Sequence, residues 1–226
     1  MTGQSAKLSW REGGVPVSTR FDDPYFSVAD GLAETRHVFL DGNDLPARFA
    51  PGFHVAELGF GTGLNALAAW ALWRDFAAET GETGPLRFTS FEAFPMTGAE
   101  MARALAAFPA LKNLAAPFVS AWEAGPEIRL DGLALDVIVG DVRQTLPGWQ
   151  GTADAWFLDG FSPAKNPEMW GTDLMAEVAR HTARGGTFAT YSAAGFVRRG
   201  LQDAGFEVTR VPGFRGKRHM SIGRLR

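Results

Sequence analysis

A strand, a glycine-rich turn and a helix follow one another at residues 53–74, and this pattern constrains the fold more than any other feature of the chain. The apolar run at 53–58 predicts a buried strand, Gly59–Gly63 reads GFGTG, and residues 64–74 favour a helix. Glycines let the backbone pass close to a ligand, and the free N–H groups at a helix N-terminus attract its polar groups. The pattern therefore predicts a nucleotide-like ligand at the edge of an α/β sheet.

The spacing of the glycines separates two classes of ligand. A dinucleotide-binding turn has a third glycine three residues after the second, and Leu64 occupies that position. An acidic residue, Glu57, precedes the G-x-G-x-G turn instead. This arrangement is similar to motif I of the S-adenosylmethionine methyltransferases. The turn therefore favours S-adenosylmethionine, and a nicotinamide oxidoreductase is the least favoured of the enzyme classes.

From residue 52 onwards, predicted strands and helices alternate. Strands are predicted at 53–58, 86–91, 134–139, 153–158 and 186–191, helices at 64–78, 97–108, 142–147, 171–183 and 194–204, and a final pair of edge strands at 206–211 and 219–225. The alternation indicates a parallel sheet with helices on both faces. Asp131-Gly132 predicts a hairpin just before the third core strand.

The expected fold is α/β. It is a class I S-adenosylmethionine-dependent methyltransferase fold, Rossmann-like and doubly wound, with a mostly parallel sheet and an antiparallel edge strand. Residues 1–50 are turn-rich and are predicted to form a small N-terminal extension packed on the core, whereas 51–226 form the methyltransferase domain.

Composition excludes several kinds of chemistry. The chain has no cysteine and only four scattered histidines, so neither thiolate catalysis nor a metal site is expected. No apolar run approaches the roughly 18 residues that span a bilayer, and the N-terminus has no apolar signal core. We expect a cytoplasmic enzyme that is monomeric and touches no membrane.

The charge is unevenly distributed along the sequence. The chain carries a net charge of -3, yet residues 180–226 hold ten Lys and Arg against Asp203 and Glu207, which leaves this segment at +8 and the first 179 residues at -11. Such asymmetry favours a surface that faces a polyanion. A solvated basic face on an acidic protein is the alternative interpretation.

Acidic residues follow three of the predicted strands. Glu92 ends the second strand, where an acid binds the ribose of a nucleotide, and Asp141 follows the third, where it could accept from an adenine amino group or cap the next helix. Asp159 follows the fourth strand and opens a proline-rich loop that carries Phe161 and Lys165. A carboxylate beside a stiff aromatic loop suits a flat substrate with an amine to be oriented.

Several segments together resemble one family, the methyltransferase domain of the tRNA 5-methylaminomethyl-2-thiouridine biosynthesis proteins. The resemblance runs from about residue 8 to 222 and is carried by Phe21–Ser27, Glu34–Leu40, Glu57–Asn65, Asp159–Trp170, Ser192–Leu201 and Gly213–Arg218. It implies transfer of a methyl group from S-adenosylmethionine to the aminomethyl nitrogen of the wobble uridine, position 34, in the anticodon stem-loop of tRNA.

The residues and the resemblance together predict three groups of site residues. Asp159 is the predicted catalytic residue, which orients the amine and stabilises the charge that develops on it. The predicted cofactor-binding residues are Glu57, Gly59, Phe60, Gly61, Thr62, Gly63, Asn65, Glu92, Asp141 and Asp159. The predicted tRNA-binding residues are Tyr25, Phe161, Lys165, Asn166, Arg198, Arg199, Arg215, Lys217 and Arg218.

Two features depart from the family pattern. In its better-known members a flavin-dependent oxidoreductase follows the methyltransferase domain and makes the aminomethyl group, whereas this sequence stops at Arg226. We therefore expect either a stand-alone enzyme supplied with the aminomethyl intermediate by a separate enzyme, or an excised domain. The order of glycine and basic residues in Gly213–Arg218 also differs slightly from the usual one.

Two alternative functions remain open at the level of sequence. The first is a methyltransferase of a small-molecule amine, which predicts a closed pocket without a basic rim and no salt-dependent binding of tRNA. The second is a cofactor- or RNA-binding module without catalysis, against which the complete Asp159–Pro167 loop argues.

Overall fold

Two sheets and seven α-helices make up the described part of the chain, which covers residues 5–27, 30–216 and 218–226 of this computed structural model. The strands are β1 (Leu8–Arg11), β2 (Val15–Ser18), β3 (Asp23–Pro24), β4 (His54–Leu58), β5 (Leu86–Glu92), β6 (Glu127–Leu130), β7 (Leu133–Val139), β8 (Ala153–Leu158), β9 (Thr182–Thr190), β10 (Phe206–Pro212) and β11 (His219–Leu225). The α-helices are α1 (Gly31–Thr35), α2 (Leu64–Thr80), α3 (Gly98–Leu105), α4 (Lys112–Ala124), α5 (Val142–Thr145), α6 (Thr172–Arg180) and α7 (Gly195–Asp203). A π-helical turn spans Arg36–Leu40, and 3-10 turns lie at Glu12–Gly14, Asp41–Asn43, Pro109–Leu111, Leu146–Gly148 and Pro167–Trp170.

The larger sheet has the strand order β10-β11-β9-β8-β4-β5-β7-β6. Its five central strands run parallel, and antiparallel strands close both edges: β6 on one side, and β11 with β10 on the other. In this sheet, β5 and β7 lie on one side of β4, and the next parallel strand in the sequence, β8, lies on the other side of β4. Open α/β sheets bind ligands outside the carboxyl ends of their strands at such a reversal. The crevice beside β4 and β8 is therefore the expected site.

An apolar core lies on each face of the larger sheet. Neighbouring residues of a strand point to opposite faces, so Val55 belongs to the core under α2 and α4 whereas Ala56 belongs to the core under α6 and α7. The same alternation divides Trp156 from Phe157. The three-layer fold and its mostly parallel sheet confirm the predicted α/β class, and the hairpin at Asp131-Gly132 and the final pair of edge strands are confirmed as well.

Helix α4 is an element that the sequence analysis did not predict. It carries Pro117 in its interior and has no side-chain N-cap, two features that argue against a helix. Phe118, Val119 and Trp122 are nevertheless buried in the core, and the Trp122 ring lies 5.1 Å from that of Phe60. Tertiary packing therefore outweighs the local signals.

Two predicted helix boundaries were also wrong. Helix α3 ends at Leu105 and not at residue 108, because the chain then turns into the 3-10 segment Pro109–Leu111. Helix α6 ends at Arg180, and strand β9 begins at Thr182, four residues before the predicted start. The extra residues of β9 include Gly185, whose φ of +72° fits the irregular register between β8 and β9.

The segment before β4 packs closely against the larger sheet. Strands β1, β2 and β3 form a small antiparallel sheet. Phe39 is buried with its ring 5.4 Å from that of Phe157, and Asn43 donates from Nδ2 to the carbonyl of Trp156 at 3.3 Å. These contacts bring the segment to the crevice, while the division of the chain at residue 50 stays a prediction.

Among the described residues, no single helix is both long enough and apolar enough to cross a bilayer. Gly98–Leu105 and Pro109–Ala124 meet the length and composition criteria only when they are taken together, and they are bent at 119° to each other.

Candidate active site

A cavity of about 1090 Å³ opens at the carboxyl ends of β4, β5, β7 and β8. Its walls include Gly59, Phe60, Gly61, Thr62, Asn65, Glu92, Asp141, Asp159, Phe161 and Asn166, together with Tyr25 and other residues from the segment before β4. Most of the predicted cofactor-binding residues therefore line one cavity. Its volume is slightly above the roughly 300–1,000 Å³ typical of small-molecule sites.

The glycine turn after β4 has a backbone that only glycine adopts readily. Gly59 has a φ of +93°, and a Cβ there would lie 2.6 Å from the carbonyl oxygen of Asp159. Gly61 has a φ of +55°, and a Cβ there would lie 3.1 Å from the Tyr25 ring. Helix α2 then begins at Leu64 after Gly63, which has no side chain to cap it. The turn thus leaves an uncapped helix N-terminus beside the cavity, as a polar ligand requires.

Glu92 supports the turn from the end of β5. Its Oε2 accepts from the Gly61 N–H at 2.9 Å, and its Oε1 accepts from the Phe94 N–H at 2.7 Å. Burial raises the pKa of Glu92, and the backbone donors around it act in the opposite direction. Each carboxylate oxygen has a second lone pair for a ribose hydroxyl. Glu92 therefore both orients the turn and suits the ribose contact predicted for it.

Asp141 caps helix α5 and forms an ion pair that the sequence did not indicate. Its Oδ1 accepts from the Arg143 backbone N–H at 3.0 Å, and its Oδ2 lies 2.6 Å from Arg143 Nη2. The Arg143 guanidinium lowers the pKa of Asp141. Nη1 of the same guanidinium lies 2.8 Å from Oε2 of Glu168, which belongs to the loop after β8. Arg143 therefore connects the third strand end to the predicted substrate loop.

A buried hydrogen-bond network joins β4, β5, α2 and the end of β8. Glu57 is fully buried, accepting from Asn65 Nδ2 at 2.9 Å on Oε1 and from Ser90 Oγ at 2.6 Å on Oε2. Burial raises the pKa of Glu57 well above its usual value, while the hydrogen bonds from Ser90 and Asn65 act against that rise. Asn65 Nδ2 also donates to Oδ2 of Asp159 at 2.7 Å.

Glu57 and Gly63 lie behind the cavity wall and are not among the residues that line it. Direct contact of these two residues with a cofactor stays a prediction. The structure shows instead that Glu57 holds Asn65, and that Gly63 starts helix α2 with a φ of +75°.

The loop after Asp159 is held by the segment before β4. The backbone N–H of Ser162 donates to Oδ2 of Asp23 at 2.9 Å, and Tyr191 donates from its hydroxyl to the carbonyl of Gly160 at 2.7 Å. Phe161 stacks on Phe21 with ring centroids 4.8 Å apart. These contacts fix an aromatic wall of the cavity.

Tyr25 meets Phe161 edge to face, with ring centroids 5.0 Å apart. Burial, then the charges of Glu92 and Glu100, raise the pKa of the Tyr25 hydroxyl, so this group stays protonated. The structure therefore places Tyr25 and Phe161 together in the cavity, as their predicted contact with one flat base requires, although that contact stays a prediction.

Lys165 and Asn166 differ in their surroundings. Lys165 donates from Nζ to the carbonyl of Asp22, and its Nζ lies 3.4 Å from Oδ1 of Asp23. Asn166 is buried and lines the cavity. Lys165 therefore ties the loop to the segment before β4, and any contact with tRNA would have to compete with these acids.

Arg198, Arg199, Arg215 and Arg218, four of the residues predicted to bind tRNA, lie on α7 and on the turn between β10 and β11, and none of the four lines the cavity. Arg199 and Arg218 are exposed, and Arg215 lies 3.5 Å from Asp30, next to the cavity-lining residues of α1. Partial desolvation, then the charges of Arg210, Arg218 and Arg198, lower the pKa of His219. The basic residues are thus close enough to share one positive field. Lys217 lies outside the described residues.

Several residues of the site were missed by the sequence analysis. They are Phe21, Thr35, Ser90 and Arg143, with Arg20, whose guanidinium lies 4.6 Å from the centre of the Phe94 ring. Of these, only Phe21 and Thr35 fall in segments that carried the family resemblance. Among the described residues, no group of three or more His, Asp or Glu is arranged to hold a metal ion.

The fold, the glycine turn and the acidic strand ends define an S-adenosylmethionine-dependent methyltransferase. Residues 106–226 match the model of a family described as S-adenosyl-L-methionine-dependent methyltransferase, and the chain belongs to that family. The cofactor fits the residues present, because the uncapped N-terminus of α2 follows the glycine turn beside the cavity and Glu92, which lines the cavity, offers a carboxylate to a ribose.

The chain is similar over almost all its length to part of a larger protein. It is 46% identical over 233 residues to the tRNA 5-methylaminomethyl-2-thiouridine biosynthesis bifunctional protein MnmC of Stutzerimonas stutzeri, and 44% identical over 237 residues to the MnmC protein of Aeromonas salmonicida. The alignments cover 98% and 96% of this chain but 35% of each relative, so the chain spans about a third of their length.

Solved structures show the same fold. The crystal structure of MNMC2 from Aquifex aeolicus matches with a TM-score of 0.77 and 23% identity, covering 100% of this chain and 72% of that one. A precorrin-6y C5,15-methyltransferase from Geobacter metallireducens matches with a TM-score of 0.53 and 11% identity, covering 97% of this chain and 98% of that one.

Proposed function

We propose that this chain transfers a methyl group from S-adenosylmethionine to the aminomethyl nitrogen of 5-aminomethyl-(2-thio)uridine at position 34 of tRNA, giving 5-methylaminomethyl-(2-thio)uridine. The observation that carries the proposal is that Asp159 lines the same cavity as the glycine turn, Phe161 and Tyr25. The names of the MnmC relatives support the same substrate.

The cofactor, when bound, supplies a methyl group activated by a sulfonium. The nitrogen must attack as the neutral amine, although a free alkylamine resembles lysine with a pKa of about 10. As the N–C bond forms and the C–S bond breaks, positive charge moves to the nitrogen. Asp159 stabilises this charge, orients the amine, and accepts the proton that the product ammonium gives up. Holding the amine in line with the methyl group contributes much of the remaining acceleration.

The aromatic wall provides the binding site for the base. Single-stranded bases are commonly held by stacking on aromatic rings, and Phe161 and Tyr25 line the cavity beside Asp159. One face of Phe161 already stacks on Phe21, which stiffens the wall. The uracil enters next to these rings with its aminomethyl group directed at Asp159.

The basic residues bind the phosphates of the anticodon stem-loop. Arg198 and Arg199 on α7, with Arg215 and Arg218 on the turn between β10 and β11, form a basic rim, and the Arg198 Nε is buried without a hydrogen-bond partner among the described residues. Phe196, on the first turn of α7, is a large apolar side chain that is 45% exposed. Arginines beside an exposed ring are the combination that single-stranded nucleic acids bind. This basic rim favours tRNA over a small-molecule amine.

The proposed reaction has a place in a sequence of steps. The substrate already carries the primary amine when it is methylated, so a separate activity installs that amine first. We also propose that the enzyme acts on tRNA in the cytoplasm and as a monomer.

The test is transfer of labelled methyl from S-adenosylmethionine to tRNA from cells that lack the final methylation, followed by nucleoside analysis. The matched control is the same tRNA without the aminomethyl group. Label in 5-methylaminomethyl-(2-thio)uridine, and none in the control, is the expected result. Cofactor binding without label in any tRNA would overturn the proposal and favour a small-molecule amine as the acceptor.

A further inference from the structure

The side chain of Asn65 makes hydrogen bonds in three directions at the start of helix α2. Its Nδ2 donates to Oε1 of Glu57 at 2.9 Å and to Oδ2 of Asp159 at 2.7 Å. Its Oδ1 accepts from the hydroxyl of Thr35 at 2.8 Å. Both hydrogens of the amide nitrogen therefore bind a carboxylate, and the amide oxygen binds the hydroxyl.

Only one orientation of this amide satisfies its neighbours. Ionised carboxylates accept hydrogen bonds and cannot donate them. A flipped Asn65 would direct its oxygen at Glu57 and Asp159 and its N–H groups at the Thr35 hydroxyl. The Asp159 carboxylate, which the proposed function takes to be ionised, therefore selects the observed orientation, and in that orientation the Thr35 hydroxyl donates to the amide oxygen. Asn65 and Thr35 are both buried, so solvent offers little replacement for a lost contact.

We propose that Asn65 is a positioning residue, which holds the Asp159 carboxylate by its Oδ2 so that Oδ1 is directed at the reacting amine. Asn65 is itself fixed by Thr35 and Glu57. This assignment rests on the proposed function, in which Asp159 meets the amine. This role differs from cofactor binding, because the side chain of Asn65 binds Asp159, Glu57 and Thr35.

The second support for Asn65 comes from the sheet. Glu57 is at the end of β4, and its other oxygen accepts from Ser90 on β5 at 2.6 Å. A site is more precise when its supporting residues lie on strands or helices rather than on loops. Hydrogen bonds from Ser90 to Glu57, from Asn65 to Glu57 and from Asn65 to Asp159 thus fix Asp159 relative to β4 and β5. Asp159 lies 94 residues after Asn65 in the sequence.

A matched pair of variants tests the assignment. Thr35→Val removes the donor to Asn65 at nearly constant volume, and Thr35→Ser keeps it. At saturating S-adenosylmethionine we expect Thr35→Val to lower kcat about three- to tenfold and Asn65→Ala about 100-fold, since misplacing a catalytic group by about 1 Å costs on that order. Thr35→Ser should retain wild-type kcat. The dissociation constant of S-adenosylmethionine, measured by calorimetry, should stay within about threefold of wild type in all three.

Two kinetic outcomes would overturn the assignment. Equal kcat values for Thr35→Val and Thr35→Ser would show that the orientation of the amide does not matter. A loss in Asn65→Ala that appears in cofactor affinity, with kcat unchanged at saturation, would make Asn65 a cofactor ligand instead. The threonine pair keeps the test informative if Asn65→Ala does not fold.

A measurement without tRNA separates this assignment from the proposed function. In ¹⁵N-labelled protein, Asp159→Ala should move one of the two side-chain amide protons of Asn65 and leave the other, which faces Glu57. If neither proton moves, the contact does not hold in solution and the assignment fails. If one proton moves but wild-type protein methylates no tRNA, the contact between Asn65 and Asp159 holds in solution and it is the substrate proposal that fails.

Discussion

Arg143 binds the carboxylate of Asp141 with two of its nitrogens, with Nη2 2.6 Å from Oδ2 and Nε 3.0 Å from Oδ1. The same guanidinium lies 2.8 Å from Glu168 on the loop after β8. A planar guanidinium that meets two carboxylates fixes both in direction, as a lysine does not. Arg143 therefore connects Asp141, which is predicted to bind the cofactor, to the loop after β8, which is predicted to bind the substrate.

Arg143→Ala should weaken S-adenosylmethionine binding about threefold, because Asp141 loses the partner that fixes its carboxylate but exposed ion pairs contribute at most about 1 kcal/mol. Isothermal calorimetry with wild type and variant measures the change. Arg129→Ala is the matched control, since Arg129 forms a similar exposed pair with Asp136 at 2.5 Å away from the residues that line the cavity. Equal affinities for the two variants would contradict a role of Arg143 at the cofactor site.

Asp159→Asn should lower kcat about 10²- to 10³-fold, because an amide cannot stabilise the positive charge that develops on the amine or accept its proton. Cofactor affinity should fall much less than kcat, because the glycine turn and Glu92, which are also predicted to bind the cofactor, are unaltered. Single-turnover transfer of labelled methyl measures the step directly. Asp173→Asn, at an exposed position on α6, is the control for removing one negative charge. Near-wild-type turnover of Asp159→Asn would remove Asp159 from the mechanism.

The sequence predicted the layout of the site because strand ends of a parallel sheet meet at one edge. Glu92, Asp141 and Asp159 each follow a predicted strand, and all three line the cavity. The glycine turn was predictable for a similar reason, since its local pattern determines its backbone. Position along the chain was sufficient for these residues.

Contacts between residues that are far apart in the sequence could not be predicted. Asn65 was predicted from its place in the turn, but its bond to Asp159 crosses 94 residues. Lys165 was predicted to bind tRNA from its charge alone, whereas its neighbours Asp22 and Asp23 are placed beside it only by the fold. Helix α4 was missed because local signals oppose it at Pro117 and only packing against the core favours it.

Stability should fall in acid through His54. Burial, then the charge of Arg87, lower the pKa of His54 from 6.5 to about 4. Above pH 6.5 the residue is neutral in both states and adds no pH dependence. As the pH falls from 6.5 towards 4, the unfolded chain binds a proton here that the folded chain does not. The free energy of unfolding therefore falls, by about 3 kcal/mol at pH 4.

Urea unfolding of wild type and His54→Gln between pH 7 and pH 4.5 checks this dependence. Glu57 and Glu92 have raised pKa values and act in the opposite sense, so the difference between the two proteins is the relevant quantity. The variant should lose less stability than wild type below pH 6.5. Parallel curves over this range would show that His54 is not responsible.

The basic rim should bind tRNA in a salt-dependent manner. Arg199 is exposed on α7, and reversing its charge in Arg199→Glu should raise the dissociation constant of tRNA about tenfold and lower the slope of log K against log salt by about one. Cofactor affinity should not change. Lys112→Glu is the matched control, because it makes the same charge change at the start of α4, on the other side of the sheet, where a negative charge suits the helix N-terminus. Filter binding at several salt concentrations gives both quantities.

If the two variants lower tRNA affinity equally, only the net charge matters and the basic rim is an ordinary solvated face. If Arg199→Glu alone does so, the rim contacts the phosphates.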